Sequence, residues 1–110
     1  MEQYKVVVTP SADQDLEEIF EYIATQLKVS EIASNLVLKL YDSMQSLSTM
    51  PKRCPLSKDC FLAKQGFRTM LTQNYIIFYV IDKGKEQVII HRILYAKRNY
   101  TALFVYDSKL

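Results

Sequence analysis

The chain is poor in the residues that interrupt or staple a fold. Its 110 positions hold two glycines, three prolines, two cysteines and one histidine. So few Gly and Pro leave no room for long flexible linkers or low-complexity tracts. No apolar run approaches the ~20 residues needed to cross a bilayer, so no membrane association is expected. The opening residues, Met1-Glu2-Gln3-Tyr4-Lys5, lack the apolar core of a signal peptide, and the expected compartment is the cytoplasm. Cys54 and Cys60 sit in one Pro-containing loop, where a disulfide would close few residues and stabilise little. Zinc would need about four ligands, and these two thiols with His91 fall short of that set. Neither a metal nor a cofactor is expected.

What is present fits one domain spanning residues 1–110: about half the residues are apolar and a quarter charged. The net charge of +2 hides an asymmetry. Residues 1–50 carry eight acids against three bases, and residues 51–110 carry eleven bases against four acids. A basic second half suits an acidic partner, whether nucleic acid or protein.

Tyr4-Lys5-Val6-Val7-Val8-Thr9 is a β-branched run stopped by Pro10, which reads as a first strand. Ser11 with Gln14 three residues later forms a capping-box pattern for the next helix. Ala12, Leu16, Ile19, Phe20, Ile23, Ala24 and Leu27 then recur at helical spacing. Asp13, Asp15, Glu17 and Glu18 crowd the first turns, where the helix dipole favours acids, and read as a solvated face. A second stripe, Ala33, Leu36, Val37, Leu40, Met44 and Leu47, predicts a helix from about Ser30 that stops before Met50-Pro51. The short connection near Lys28-Val29-Ser30 predicts an antiparallel helical hairpin. Residues 51–60 are basic and twice interrupted by Pro, hence a loop. Strand-like runs follow over residues 66–71, 75–81 and 87–95, the last two joined at Asp82-Lys83-Gly84-Lys85. The predicted class is α+β in the order β-α-α-β-β-β, with the N-terminal helical hairpin packed on a mainly antiparallel four-stranded sheet. The two long strands are apolar on both faces and are expected to be central.

This order, and the phrase His91-Arg92-Ile93-Leu94-Tyr95-Ala96-Lys97-Arg98-Asn99-Tyr100, resemble the RelE/ParE toxin superfamily, also known as plasmid-stabilisation proteins. Arg92-Ile93-Leu94-Tyr95 followed by Ala96-Lys97-Arg98-Asn99 is similar to the Arg-Val-Leu-His, small residue, Arg-Asp ending of the ParE-like branch. Gly66-Phe67-Arg68 and Asn74-Tyr75-Ile76-Ile77-Phe78-Tyr79 look like that branch's Gly-Leu-Arg and Asn-Tyr-Leu-Ile-Phe-Tyr strands. Asp15-Leu16-Glu17-Glu18-Ile19-Phe20-Glu21-Tyr22-Ile23 is similar to its first helix. The resemblance spans about residues 4–104 and implies a toxin of a type II toxin–antitoxin pair with a cognate antitoxin as partner. It implies one of two targets. ParE-like members inhibit DNA gyrase, and RelE-like members are mRNA interferases that cleave mRNA in the ribosomal A site.

RelE members use two lysines on the second strand, an arginine after the tyrosine of the next strand, an arginine after the last strand, and a tyrosine six residues on. Such a cluster orients the ribose hydroxyl, neutralises phosphate charge and moves a proton. Here Arg68 stands for the first lysine and Arg98 for the last arginine, while Met70, Ile76 and Phe104 occupy the other three positions. Arg68 and Arg98 are therefore the catalytic candidates only if the chain is a nuclease. YoeB-like relatives add a Glu, an Arg and a terminal His-Tyr pair, and that pair is missing here. His91, alone and within a strand, reads as structural. Expectation favours the gyrase-directed branch, with an inactive antitoxin-binding remnant as a further alternative. Arg68, Arg92, Lys97, Arg98, Tyr75 and Tyr95 are the expected target-binding residues, and Leu103, Phe104, Val105 and Tyr106 the expected antitoxin-binding ones.

Overall fold

The structure, a computed structural model, describes residues 3–26, 28 and 30–96. The first strand, β1, is Lys5–Val8. Helix α1 follows at Pro10–Glu21 and widens into a π turn over Tyr22–Gln26. Helix α2 is Ser30–Gln45, tightening into a 3-10 turn at Ser46–Ser48. A further 3-10 turn, Pro51–Arg53, precedes a short helix, α3, at Cys60–Lys64. Strands β2 (Arg68–Thr72), β3 (Tyr75–Asp82) and β4 (Gln87–Tyr95) complete the chain's described part.

The sheet order is β1-β4-β3-β2, so the two strands that are apolar on both faces are central. β1 runs parallel to β4, and the other two ladders are antiparallel. The β2–β3 hairpin turns on Gln73 and Asn74, both at positive φ (53° and 70°), the geometry that matches strand twist in a two-residue turn. One face carries the main core: Leu16 and Ile19 of α1 and Leu40 and Met44 of α2 meet Ile77, Tyr79, Val88, Ile90 and Ile93. Each such side chain contributes about 1.5–3 kcal/mol through the apolar area it removes from water.

Three features depart from the sequence expectation. The cap of α1 is Thr9, not Ser11: the Thr9 hydroxyl accepts from the Ala12 amide at 3.2 Å, and Pro10 takes the first helical position, where its missing N–H is no loss. The same hydroxyl donates to the Ile90 carbonyl at 2.8 Å, so a single side chain caps the helix and fastens it to β4. The second departure is α3, which lies where no helix was expected. Asp59 caps it through the Leu62 amide, and Leu62 packs with Phe78 and Leu94 into a second, smaller core on the sheet's other face. Third, β4 carries an extra residue between its pairs Tyr79↔Ile90 and Phe78↔Arg92, so His91 is a bulge. Bulges re-aim side chains, and here the change of phase decides what Arg92 and Ile93 reach.

Candidate functional site

β4 outruns β1. The parallel ladder stops at Val8↔Ile90, and the chain turns away into α1. Beyond that point the edge of β4 would present unpaired polar groups, which are costly when buried. Asp15 fills the gap. It lies on α1 facing the sheet, is 5% exposed, and accepts from the Ile93 amide at 2.9 Å. The same carboxylate takes Arg92 in a two-pronged bond, Nε at 2.8 Å and Nη2 at 3.0 Å. Asp15 thus leaves the solvated acidic face that its sequence neighbourhood suggested, while Asp13, Glu17 and Glu18 remain on it. Arg92, one of the expected target-binding residues, is the half-buried partner of this pair, its side chain 16% exposed.

Next to the pair opens a groove of about 600 Å³ between α1 and the ends of β3 and β4. Its walls are Asp15, Glu18, Ile19, Tyr22, Tyr75, Ile93 and Tyr95. Tyr75 and Tyr95 pair across the strands and meet edge to face, their ring centres 5.7 Å apart. Burial pushes the Tyr75 hydroxyl above its ordinary value, and the neighbouring Tyr95 and Tyr22 add to that. Tyr75 therefore presents an uncharged hydroxyl at neutral pH, suited to hydrogen bonds at a mixed polar and apolar contact. Tyr22 and Glu18 were not singled out from sequence. Their signal was the helical spacing from Asp15, which places residues three and seven further on along one face.

The structure brings Tyr75 and Tyr95 together but not Arg68. Arg68 pairs with Tyr79 in the β2–β3 ladder, four residues from Tyr75 and so ~13 Å away along the sheet. It borders a different, smaller cleft of about 200 Å³ with Lys52 and Lys83. There its Nη1 donates to the Cys54 carbonyl at 2.7 Å and more weakly to the Lys52 carbonyl at 3.4 Å. Lys97, Arg98, Leu103, Phe104, Val105 and Tyr106 lie outside the described residues.

The positions where RelE chemistry needs cations are apolar and occupied by packing. Met70 packs against the main core and Ile76 against the second one. His91 meets the Phe67 ring edge on at 5.1 Å, and burial lowers its pKa. Among the described residues no cluster of His, Cys, Asp or Glu could hold a metal, and no helix is long and apolar enough to cross a membrane.

Comparison with known proteins agrees with this architecture. A chain of the chromosomal ParDE toxin–antitoxin system from P. aeruginosa superposes with a TM-score of 0.73 at 16% identity, covering 88% of this chain and 100% of that one. A chain of the toxin–antitoxin complex RelBE2 from Mycobacterium tuberculosis gives 0.58 at 19% identity, covering 84% and 98%. At such identities the likeness is one of fold. Among curated protein sequences none matches the chain significantly. The family model of the ParE toxin of type II toxin–antitoxin systems matches residues 6–100, nearly the whole sequence. The chain therefore belongs to the ParE toxin family.

Proposed function

We propose that this toxin acts on DNA gyrase rather than on ribosome-bound mRNA, and that a cognate antitoxin neutralises it. The observation that carries the reading is the packing of Met70 and Ile76. Two positions that would supply positive charge for RNA cleavage hold partly buried hydrophobic side chains packed against the apolar cores, where an Arg or Lys would lose part of its hydration. Removing members of a catalytic set costs nearly the whole rate, because such residues act as a unit.

The target-binding residues in this reading are Tyr75 and Tyr95 of the tyrosine groove, with Lys97 and Arg98, which follow β4 in the sequence. Tyr and Arg are favoured anchors of protein contacts, which suits a protein target. The antitoxin takes the outer face of the helical hairpin together with Leu103, Phe104, Val105 and Tyr106. In support, Phe20, Ile32, Leu38 and Tyr41 are all exposed on that hairpin, more apolar surface than a solvated helix pair needs.

The test sets purified gyrase beside a translating ribosome. Supercoiling is expected to be inhibited while A-site mRNA stays intact, and Tyr95→Ala or Arg98→Ala is expected to weaken inhibition about tenfold or more without unfolding the chain. Prompt A-site cleavage with gyrase unaffected would overturn the gyrase reading.

A further inference from the structure

The basic half of the chain concentrates its charge between residues 51 and 85, where seven bases stand against two acids. Part of that charge gathers where β3 extends past the end of β2, at the cleft bordered by Lys52, Arg68 and Lys83. Leu56 and Ile81 supply its apolar lining, and Leu56 is 46% exposed. Gly66 forms one side at a φ of +87°, with no atom within 4 Å of the place a Cβ would take, so that side stands open.

Arg68 is the informative residue. Backbone carbonyls hold its Nη1, which fixes the guanidinium in place without neutralising it. Its Nε and Nη2 make no hydrogen bond among the described residues, although the side chain is half-buried. Those two nitrogens form the edge that grips a carboxylate in parallel bonds. Arg92 uses that same edge on Asp15. Among the described residues, then, Arg92 has its carboxylate edge filled, and Arg68 is anchored with that edge making no hydrogen bond. Of the acids in this region, Asp82 takes the Lys85 amide in the hairpin turn and Asp59 caps α3.

We propose that this cleft is a docking site for an acidic peptide segment of a partner protein, one carboxylate seated on Arg68 between Lys52 and Lys83 and an adjoining apolar side chain on Leu56 and Ile81. The charge fits an anion, and the lining selects among anions. Single-stranded nucleic acid is held by stacking on aromatic rings as well as by charge, and among the described residues no aromatic lines the cleft. An alternating acidic and apolar segment uses both kinds of wall. The site lies about four residues along the sheet from the tyrosine groove, so one partner can hold it while the other surface engages a target.

The experiment is fluorescence anisotropy on the purified full chain with a labelled peptide alternating glutamate and leucine. A glutamine–leucine peptide and a short single-stranded RNA are run beside it. The glutamate peptide is expected to bind at least about tenfold more tightly than the glutamine one, as a lost charge-assisted pair implies, and to weaken with added salt. Arg68→Gln is expected to reduce its affinity about tenfold, Lys83→Gln less, and Lys85→Gln, outside the cleft, under about twofold. Lys83→Gln lies in a surface turn and keeps the test intact should Arg68→Gln fold poorly. Equal binding of the two peptides, indifference to both cleft substitutions, or RNA bound in preference to the glutamate peptide would each overturn the proposal. Gyrase supercoiling, run on the same variants, reports separately on the toxin reading.

Discussion

Asp15 gathers three donors on one buried carboxylate: Arg92 Nε, Arg92 Nη2 and the Ile93 amide. The arrangement does two things at once, closing the edge of β4 where β1 has ended and fixing α1 against the sheet. Asp15→Ala leaves the buried Ile93 amide without its acceptor and takes two hydrogen bonds from the half-buried Arg92 guanidinium. Breaking a buried pair in this way costs about 3–5 kcal/mol. Urea unfolding of the variant is expected to show that loss, and a change below about 1 kcal/mol would mean that water replaces the carboxylate. His91 makes the opposite case, a titratable group with no charged partner among the causes of its shift. Burial holds its pKa below the ordinary 6.5, so the folded chain prefers the neutral ring. The stability this contributes is present above about pH 6.5 and is lost as pH falls through the folded value. Between about pH 7.5 and pH 5 the urea midpoint of the wild type is expected to fall further than that of His91→Phe. Equal falls would assign the pH dependence to the carboxylates instead.

At the scale of elements, the parts legible in the sequence are those with a periodic signal. The stripes Ala12, Leu16, Ile19, Ile23 and Ala33, Leu40, Met44, Leu47 are buried as their spacing implied, because a helix must turn its apolar face to something. Phe20, on the margin of its stripe, is 37% exposed and faces the outer side of the hairpin. The central position of β3 and β4 followed equally from their two-sided apolar character. What stayed hidden has a local or a long-range cause. Ser11-Gln14 read as the helix start, and the start falls instead at Thr9-Pro10 because the Ile90 and His91 carbonyls hold the Thr9 hydroxyl. Those lie more than eighty residues away in the chain. Helix α3 is one short turn with too few residues to show a period, although Asp59 before Leu62 is a cap signal. Asp15 looked like its acidic neighbours because no sequence pattern announces the bulge at His91 that brings Arg92 within its reach. Of the candidate site, Tyr75 and Tyr95 were named from the sequence, but that they face each other across β3 and β4 needed the strand register. The separation of Arg68 from them needed the strand register.

At the scale of the whole molecule, one sheet separates two cores of unequal size. The helical hairpin covers one face, and α3 with Phe67 covers the other through Leu62, Phe78 and Leu94. The inner strands belong to both: Ile77 and Tyr79 point one way and Phe78 the other. Because successive strand residues alternate faces, loosening either core disturbs the same two ladders. The smaller core is therefore not an independent unit that melts ahead of the rest. Leu62 is fully buried, and Leu62→Ala opens a cavity that a five-residue helix is poorly able to collapse. The expected cost is about 2–5 kcal/mol. The variant is expected to unfold in one transition shifted to lower urea, with far-ultraviolet and near-ultraviolet circular dichroism coincident. An early change in the near-ultraviolet phenylalanine bands, from Phe67 and Phe78, while the helical signal stays native would instead make α3 and its core a separable cover on the sheet. The distinction bears on function, because α3 lies between the basic turn at Pro51–Arg53 and the start of β2 at Arg68. A cover that detached alone would take the basic cleft with it and leave the tyrosine groove in place. A cooperative fold keeps the two surfaces in fixed register.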